Sequence, residues 1–201
     1  QSTAVRPEAL QAIALARAEI GKVNSKLMDA EGNRIGADRL AAYFETAFGG
    51  DTIHPDVIRR ITMIEKDGKR EDALPHWCGI FTWWALKSAG VPLPDWTIGM
   101  NILDSVEPRP RGELPRKGDI AWRTENQHFA LVSGIDGADV AAGTPVSATR
   151  IATINGNTAG SDNLGGQVQE IRGPVSEWHV FFDPMAKLPM PEVALVETSL
   201  D

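Results

Sequence analysis

Three features of this 201-residue sequence predict an α+β fold: helical periodicity in the first half, short strand-like runs in the second, and short turn-rich connections between those runs. Helices that precede strands, rather than alternating with them, are typical of the α+β class. We therefore expect a helical N-terminal half packed on an antiparallel β-sheet.

Four helices are predicted from apolar residues that recur at helical spacing. The first begins near Pro7, a residue suited to a first helical turn, and ends at Gly21. Asp38 is expected to cap the second helix, and the third follows Pro55. The fourth covers residues 78–89. The apolar faces of these helices indicate a hydrophobic core.

Five strands are predicted in the second half, in the stretches DIAWRT, HFALVSGI, RIATIN, GQVQEIR and EWHVFF, each bounded by Gly, Asn, Asp or Pro. The polar segment 22–36 is expected to be a loop, and residues 184–201, Pro-rich at their start, a tail or linker. We expect one domain over 1–183, with a helical lead-in at 1–65 and a catalytic core at 70–183.

The composition argues against several classes of function. A net charge of -7 does not suit non-specific nucleic-acid binding or a polybasic membrane anchor. No apolar run reaches the roughly 18 residues of a membrane-spanning helix, so we expect no integral membrane segment. No signal peptide is visible, which leaves the route of secretion open. With one cysteine and no H-x-x-x-H or H-E-x-x-H spacing, we expect no disulfide within the chain, no metal and no cofactor.

The single cysteine, Cys78, lies at the start of the fourth predicted helix, in HWCGIFTWWALKSAG. A lone cysteine is usually a small buried apolar residue. At a helix N-terminus, however, free N–H groups and the helix dipole favour a thiolate, so we expect the pKa of Cys78 to lie below that of a free thiol. The neighbouring Trp77 is a candidate for either the core or a substrate cleft.

A nucleophilic cysteine needs a base, and four histidines are available. His128 opens HFALVSGI, where the mouth of a strand would make it both accessible and rigidly held. The alternative is that it is an exposed edge histidine. His76 is predicted to be a rim residue, His54 a cap or loop residue, and His179 a satisfied polar group in EWHVFF.

A third group should hold the imidazole in its productive tautomer. Asn155 and Asn157 stand at i and i+2 at the end of RIATIN and share a face if the strand continues. Either amide oxygen could accept from a ring N–H of His128. The alternative is that this Asn- and Gly-containing stretch is simply a turn.

Four blocks in this order resemble the CHAP domains (cysteine, histidine-dependent amidohydrolases/peptidases), relatives of the NlpC-type cell-wall peptidases within the papain-like fold. The cysteine block of that family is matched by Trp77, Cys78, Gly79, Phe81, Trp84, Lys87, Ala89, Gly90, Val91 and Pro92. Its Pro-x-x-Gly-Asp-Ile/Val turn is matched by Pro115, Gly118, Asp119 and Ile120. The resemblance covers about residues 70–175.

The remaining two blocks contain one departure each. In the histidine block His128 is matched, but Gln127 stands where glycine is usual. In the last block Asn155, Gly156 and Asn157 are matched, although many members carry an acid at the position of Asn155. We favour Asn155 over Asn157 as the orienting residue, because it ends the regular strand and occupies the third catalytic position of the family.

The resemblance implies a papain-like peptidoglycan hydrolase in which Cys78 is the nucleophile, His128 the base and the backbone N–H of Cys78 an oxyanion donor. The bond would be the muramoyl–L-alanine amide or a peptide bond of the stem or cross-bridge, with Trp77 and Gln127 as candidate cleft residues. Such a protein would act at the cell wall, in the periplasm or outside the cell, as a secreted or delivered antibacterial effector. An immunity or inhibitor protein is a further candidate partner.

Two alternatives to a wall hydrolase stay open. A cysteine protease or deamidase toxin acting on a protein would use the same residues. A non-catalytic binding module of the same fold would fit the amide that replaces the acid at Asn155.

Overall fold

Four α-helices and an eight-stranded antiparallel sheet make up most of the described chain, which confirms the predicted α+β class. The structure is a computed structural model. It describes residues 5–50, 55–62, 65–66, 69–70, 74–97, 99–136, 148–160 and 165–189.

The helices are α1 (Pro7–Ala18), α2 (Ala37–Phe48), α3 (Pro55–Thr62) and α4 (Cys78–Ser88). Each of the four predicted helices is present, although α1 ends before the predicted stop. The second helix begins differently from the prediction. Gly36 precedes it in the left-handed conformation, with φ of 78°, and Asp38 lies in the first turn, where a carboxylate stabilises the positive end of the helix dipole.

The strands are β1 (Asn24–Met28), β2 (Arg34–Ile35), β3 (Glu65–Lys66), β4 (Lys69–Arg70), β5 (Glu107–Pro108), β6 (Ile120–Arg123), β7 (His128–Ile135), β8 (Arg150–Thr158), β9 (Gln167–Pro174) and β10 (Val180–Asp183). The sheet has the order β2-β1-β9-β8-β7-β6-β10-β5, and β3 and β4 form a separate pair. The five predicted strands correspond to β6 to β10.

The prediction that 22–36 is a loop was wrong, because β1 and β2 form an edge hairpin there. At its turn, Oδ1 of Asp29 accepts hydrogen bonds from the backbone N–H groups of Glu31 and Asn33. The backbone N–H of Ser25 donates to the carbonyl of Gly166 at 2.9 Å, which joins the hairpin to the segment entering β9.

Helix α4 is the central element, because it packs against β7 and β8 on one side and against α1 and α2 on the other. An aromatic cluster fills the space between α2 and α4 and is formed by Tyr43, Trp77, Phe81 and Trp84. On the sheet side, a Cβ on Gly156 would lie 2.6 Å from Cβ of Phe81, so a glycine lets β8 approach α4 closely. This contact brings the end of β8 near the helix that carries Cys78.

The chain stays on the core beyond residue 183, where the tail was predicted to begin. Met185 is 4% exposed and belongs to the main core cluster. The guanidinium of Arg6 donates to the carbonyls of Leu188 and Pro189 at 3.1 and 3.0 Å. Residues 190–201, the rest of the predicted tail, lie outside the described residues.

None of the helices in the described ranges has the length and apolar character needed to cross a lipid bilayer.

Candidate active site

Cys78 is the first residue of α4, and its side chain is enclosed between the helix start and the entry to β7. The residue is 5% exposed. Its thiol donates to the backbone carbonyl of Gln127, with Sγ 3.8 Å from the oxygen. Gln127 holds this carbonyl in a left-handed backbone conformation, with φ of 47°, which is uncommon for a residue other than glycine. Gln127, which stands where glycine is usual in the histidine block, thus has a backbone conformation that favours glycine.

Burial raises the pKa of the Cys78 thiol above its ordinary value, so the expected lowering was wrong in direction. Hydrogen bonding to the backbone of Phe129, Gly79 and Cys78 itself acts the other way. Desolvation is the larger effect because the thiolate would lose most of its contact with water. A carbonyl oxygen beside Sγ also favours the neutral thiol, since a thiolate cannot donate to it.

His128 is the first residue of β7 and is 7% exposed. The residues on either side of it, Gln127 and Phe129, are those whose backbone groups interact with the Cys78 sulfur. The start of β7 therefore brings the predicted base beside the predicted nucleophile.

Asn155 of β8 is the hydrogen-bond partner of the imidazole. Its Oδ1 lies 2.7 Å from Nε2 of His128. Its Nδ2 donates to two acceptors of Thr153, the backbone carbonyl at 3.0 Å and the hydroxyl at 2.9 Å. Asn157 instead lies at the bulge of β8, with φ of 53°. The structure thus pairs His128 with Asn155 and places the backbone on either side of His128 at the sulfur of Cys78.

Burial lowers the pKa of His128, and the positive charge of Arg123 lowers it further, while the hydrogen bond to Asn155 raises it. The net lowering keeps the imidazole neutral at pH 7. An amide oxygen can only accept, so Nε2 carries the proton and Nδ1 keeps a free lone pair. Both shifts favour the neutral forms, the thiol of Cys78 and the imidazole of His128.

A residue that the sequence did not indicate, Trp178, stacks on the imidazole, and a second, Arg123, lies over the Trp178 ring. The Trp178 ring lies against that of His128, with centroids 6.0 Å apart and planes at 28°. The guanidinium of Arg123, which pairs with His128 across β6 and β7, lies 5.1 Å from the centre of the Trp178 ring. The imidazole of His128 therefore has an aromatic neighbour from the segment that precedes β10.

A cavity of about 360 Å³ opens at the sulfur, and it is lined by His76, Cys78, Gly79, Trp96, Gln127 and Phe129. Gln127 was predicted to lie in the cleft, and the structure places it there. Trp96 was not predicted; its ring contacts the Cα of Gly79 so closely that a Cβ at this position would overlap it. The loop after α4 thus provides one wall of the cleft.

Trp77, the other candidate cleft residue, is part of the core. It is fully buried and stacks on Tyr43, with ring centroids 6.0 Å apart. The assignment to the cleft was wrong because Trp77 precedes α4 on the side facing α2, opposite the cavity.

Of the other described histidines, His76 lines the cavity at the sulfur and His179 does not. His76 is exposed and lines the same cavity as Cys78, which agrees with a rim position. His179 is exposed, with its ring edge-on to Trp122. His54 lies outside the described residues.

A larger cavity, of about 480 Å³, is lined in part by Trp178 and does not include Cys78. The smaller cavity is the candidate site of chemistry, because it is lined by Cys78 and by Gln127 and Phe129, the two chain neighbours of His128. Among the side chains that the structure describes, no three His, Cys, Asp or Glu groups are arranged to hold a metal ion.

No protein-family model matches the chain, and comparisons with curated proteins and with solved structures give no significant match.

Proposed function

We propose that this protein is a cysteine-dependent amide hydrolase of papain-like fold, with peptidoglycan as its substrate. The observation that carries the proposal is the arrangement around His128. Its Nε2–H is held by Asn155, and the residues before and after it contact the sulfur of Cys78. A nucleophile, a base and an orienting group in this order form the triad that activates a cysteine.

In the proposed reaction, the Cys78 thiol proton passes to Nδ1 of His128 as the sulfur attacks the amide carbonyl carbon. A C–S bond forms, and the carbonyl π electrons move to oxygen. The imidazolium then gives its proton to the leaving amine as the C–N bond breaks, which leaves a thioester. A water molecule, deprotonated by His128, hydrolyses the thioester to a carboxylic acid and restores the thiol.

The surroundings of His128 suit both directions of this proton transfer. The Asn155 amide oxygen accepts from Nε2–H in both protonation states of His128. It stabilises the imidazolium more than the neutral ring, because a hydrogen bond from a charged donor is stronger. Burial and the nearby charge of Arg123 disfavour the imidazolium, which helps to return the proton to the leaving amine. The backbone N–H of Cys78, at the start of α4, is a donor for the oxyanion.

The choice of peptidoglycan rests on the resemblance of the sequence blocks to wall hydrolases. A cavity of about 360 Å³ with one aromatic wall, Trp96, has the volume to accept a short peptide segment beside the sulfur. On this proposal the protein acts at the cell wall, as a secreted or delivered antibacterial effector, and an inhibitor or immunity protein would bind across the same cleft.

The proposal is tested by incubating the protein with purified sacculi and identifying the released fragments by mass. A new amine and a new carboxylate at one bond would distinguish an amidase from an endopeptidase. Cys78→Ala and His128→Ala should each lower the rate by at least about 1,000-fold while the proteins stay folded. His179→Ala is the matched control and should keep full activity, because its side chain faces Trp122 outside the cleft.

The outcomes separate the alternatives. Release of fragments from sacculi that depends on Cys78 supports the wall hydrolase. If the protein cleaves or deamidates members of a panel of proteins but leaves sacculi uncleaved, the same triad would be assigned to a protein substrate. Binding to sacculi that is unchanged in Cys78→Ala, without any released product, would identify a binding module and overturn the proposed chemistry.

A further inference from the structure

Behind the imidazole, a short chain of buried polar groups connects three strands. Oδ1 of Asn155 faces Nε2 of His128, and Nδ2 of Asn155 donates twice to Thr153. The Thr153 hydroxyl in turn donates to the carbonyl of Ile171 on β9, through a long hydrogen bond of 3.5 Å. The chain therefore runs from β7 through β8 to β9.

The direction of each hydrogen bond in this chain is determined by groups that can act in one way only. The carbonyls of Thr153 and Ile171 are acceptors, so they require the Asn155 NH₂ and the Thr153 hydroxyl hydrogen to point at them. The hydroxyl oxygen of Thr153 then has lone pairs left for the second N–H of Asn155. With both N–H groups engaged, the amide presents its oxygen to His128.

Burial makes this arrangement consequential. Thr153 and Asn155 are each 2% exposed, so little water is present to replace a lost partner. An unpaired buried N–H costs about 1–3 kcal/mol. Loss of the Thr153 hydroxyl would leave only the Thr153 carbonyl to oppose a turnover of the amide, which would place its NH₂ against Nε2 of His128. The imidazole would then carry its proton on Nδ1, where it could not accept the thiol proton.

We propose that Thr153 is a positioning residue for the reaction: its hydroxyl and carbonyl together orient the Asn155 amide and so select the His128 tautomer that serves as base. This rests on the proposed function for its catalytic consequence, but the tautomer itself is independent of any substrate. The same pair of acceptors also favours an amide over an acid at position 155. An aspartate would place a carboxylate oxygen where Nδ2 now lies, 3.0 Å from the Thr153 carbonyl.

The test compares Thr153→Val, which removes the hydroxyl at similar volume, with Thr153→Ser, which keeps it. Nitrogen NMR of the 201-residue protein labelled at histidine reports which ring nitrogen of His128 is protonated. We expect the wild type and Thr153→Ser to show Nε2–H, and Thr153→Val to show a mixture with Nδ1–H. In the sacculus assay, kcat should fall about 10-fold in Thr153→Val while KM stays unchanged, because fewer molecules hold the tautomer that serves as base. A factor of ten in rate corresponds to about 1.4 kcal/mol of activation free energy.

An unchanged tautomer in folded Thr153→Val would overturn the inference, whatever the activity. If Thr153→Val does not fold, proton exchange of the Asn155 side-chain amide in the wild type decides. Slow exchange of both protons supports the two hydrogen bonds to Thr153, and fast exchange of either one refutes them. A shifted tautomer in a protein that releases nothing from sacculi would uphold the positioning role and reject the proposed hydrolysis.

Discussion

The indole of Trp178 lies against the imidazole of His128, with ring centroids 6.0 Å apart and planes inclined by 28°. Trp178 follows a short 3-10 turn formed by Val175–Glu177, which lifts it out of the strand alternation that begins at Val180. A residue outside the regular strands thus lies against the ring of the proposed base.

Trp178→Ala should raise the pKa of His128 towards the ordinary value of a histidine, because burial is the largest cause of its lowering. In this variant water would reach the hydrogen bond between His128 and Asn155, and the bond should weaken. A loss of about 1 kcal/mol would reduce the rate about five-fold. Proton NMR of the His128 ring as a function of pH measures the shift. The matched control is His179→Ala, which should leave the His128 titration unchanged.

The pH dependence of the reaction should be that of a neutral thiol–imidazole pair. Because the pKa of His128 is lowered, hydrolysis should stay high down to pH values below the ordinary imidazole value of about 6.5 and fall only when the ring is protonated. Because the pKa of Cys78 is raised, alkylation by iodoacetamide should be slow at pH 7 and still increase above about pH 8.5. If alkylation is fast and its rate does not change between about pH 5 and pH 8, the site instead holds a thiolate–imidazolium pair.

Asn155→Ala should lower the hydrolysis rate on the order of 10- to 10,000-fold, because the imidazole loses the group that holds its tautomer. Asn157→Ala should have a much smaller effect on turnover, since the residue contributes a left-handed bulge conformation. Asn155→Asp should recover only part of the rate, because one carboxylate oxygen would face the Thr153 carbonyl. Rates are compared at equal folded fraction, measured by urea unfolding. Equal losses in the two alanine variants would contradict the assignment.

Gly79→Ala should block the cleft. Its Cβ would overlap the ring of Trp96 and lie 3.0 Å from the Phe129 ring, so one of these walls must move. We expect kcat/KM on sacculi to fall at least about 10-fold, as misplacement of reacting groups by about 1 Å can cost 100-fold. Gly134→Ala on β7 is the matched control, because its Cβ would make an ordinary contact of 3.5 Å with Ala152. An active Gly79→Ala protein would show that the substrate does not enter along Trp96.

The parts of the site that the sequence predicts are those with a local signal. Cys78 follows from the boundary of a helix, His128 from the first residue of a strand, and Asn155 from the end of the regular strand pattern. The electrostatics were not predictable in the same way. The helix start alone suggests a lowered thiol pKa, but the opposite shift depends on how deeply the folded chain buries the sulfur.

The missed features depend on tertiary packing. Trp96 lies in a Pro-containing loop with no periodicity, and it reaches the cleft because its backbone N–H donates to the Ala47 carbonyl of α2 at 2.7 Å. Strand β1, which lies between the edge strand β2 and β9, was missed because Lys26, Leu27 and Met28 are all exposed, so the sequence shows no apolar alternation there.

The order of the site residues along the chain has a consequence for biosynthesis. Synthesis from the N-terminus delivers Cys78 first, His128 next and Asn155 later, and Ile171 and Trp178 follow them. The nascent chain would therefore expose a thiol without its base, its orienting amide or the stacked indole until most of the domain has left the ribosome. Under the proposed function, the site would be completed only when β7, β8 and β9 pair, so the thiol would stay without its base during most of translation.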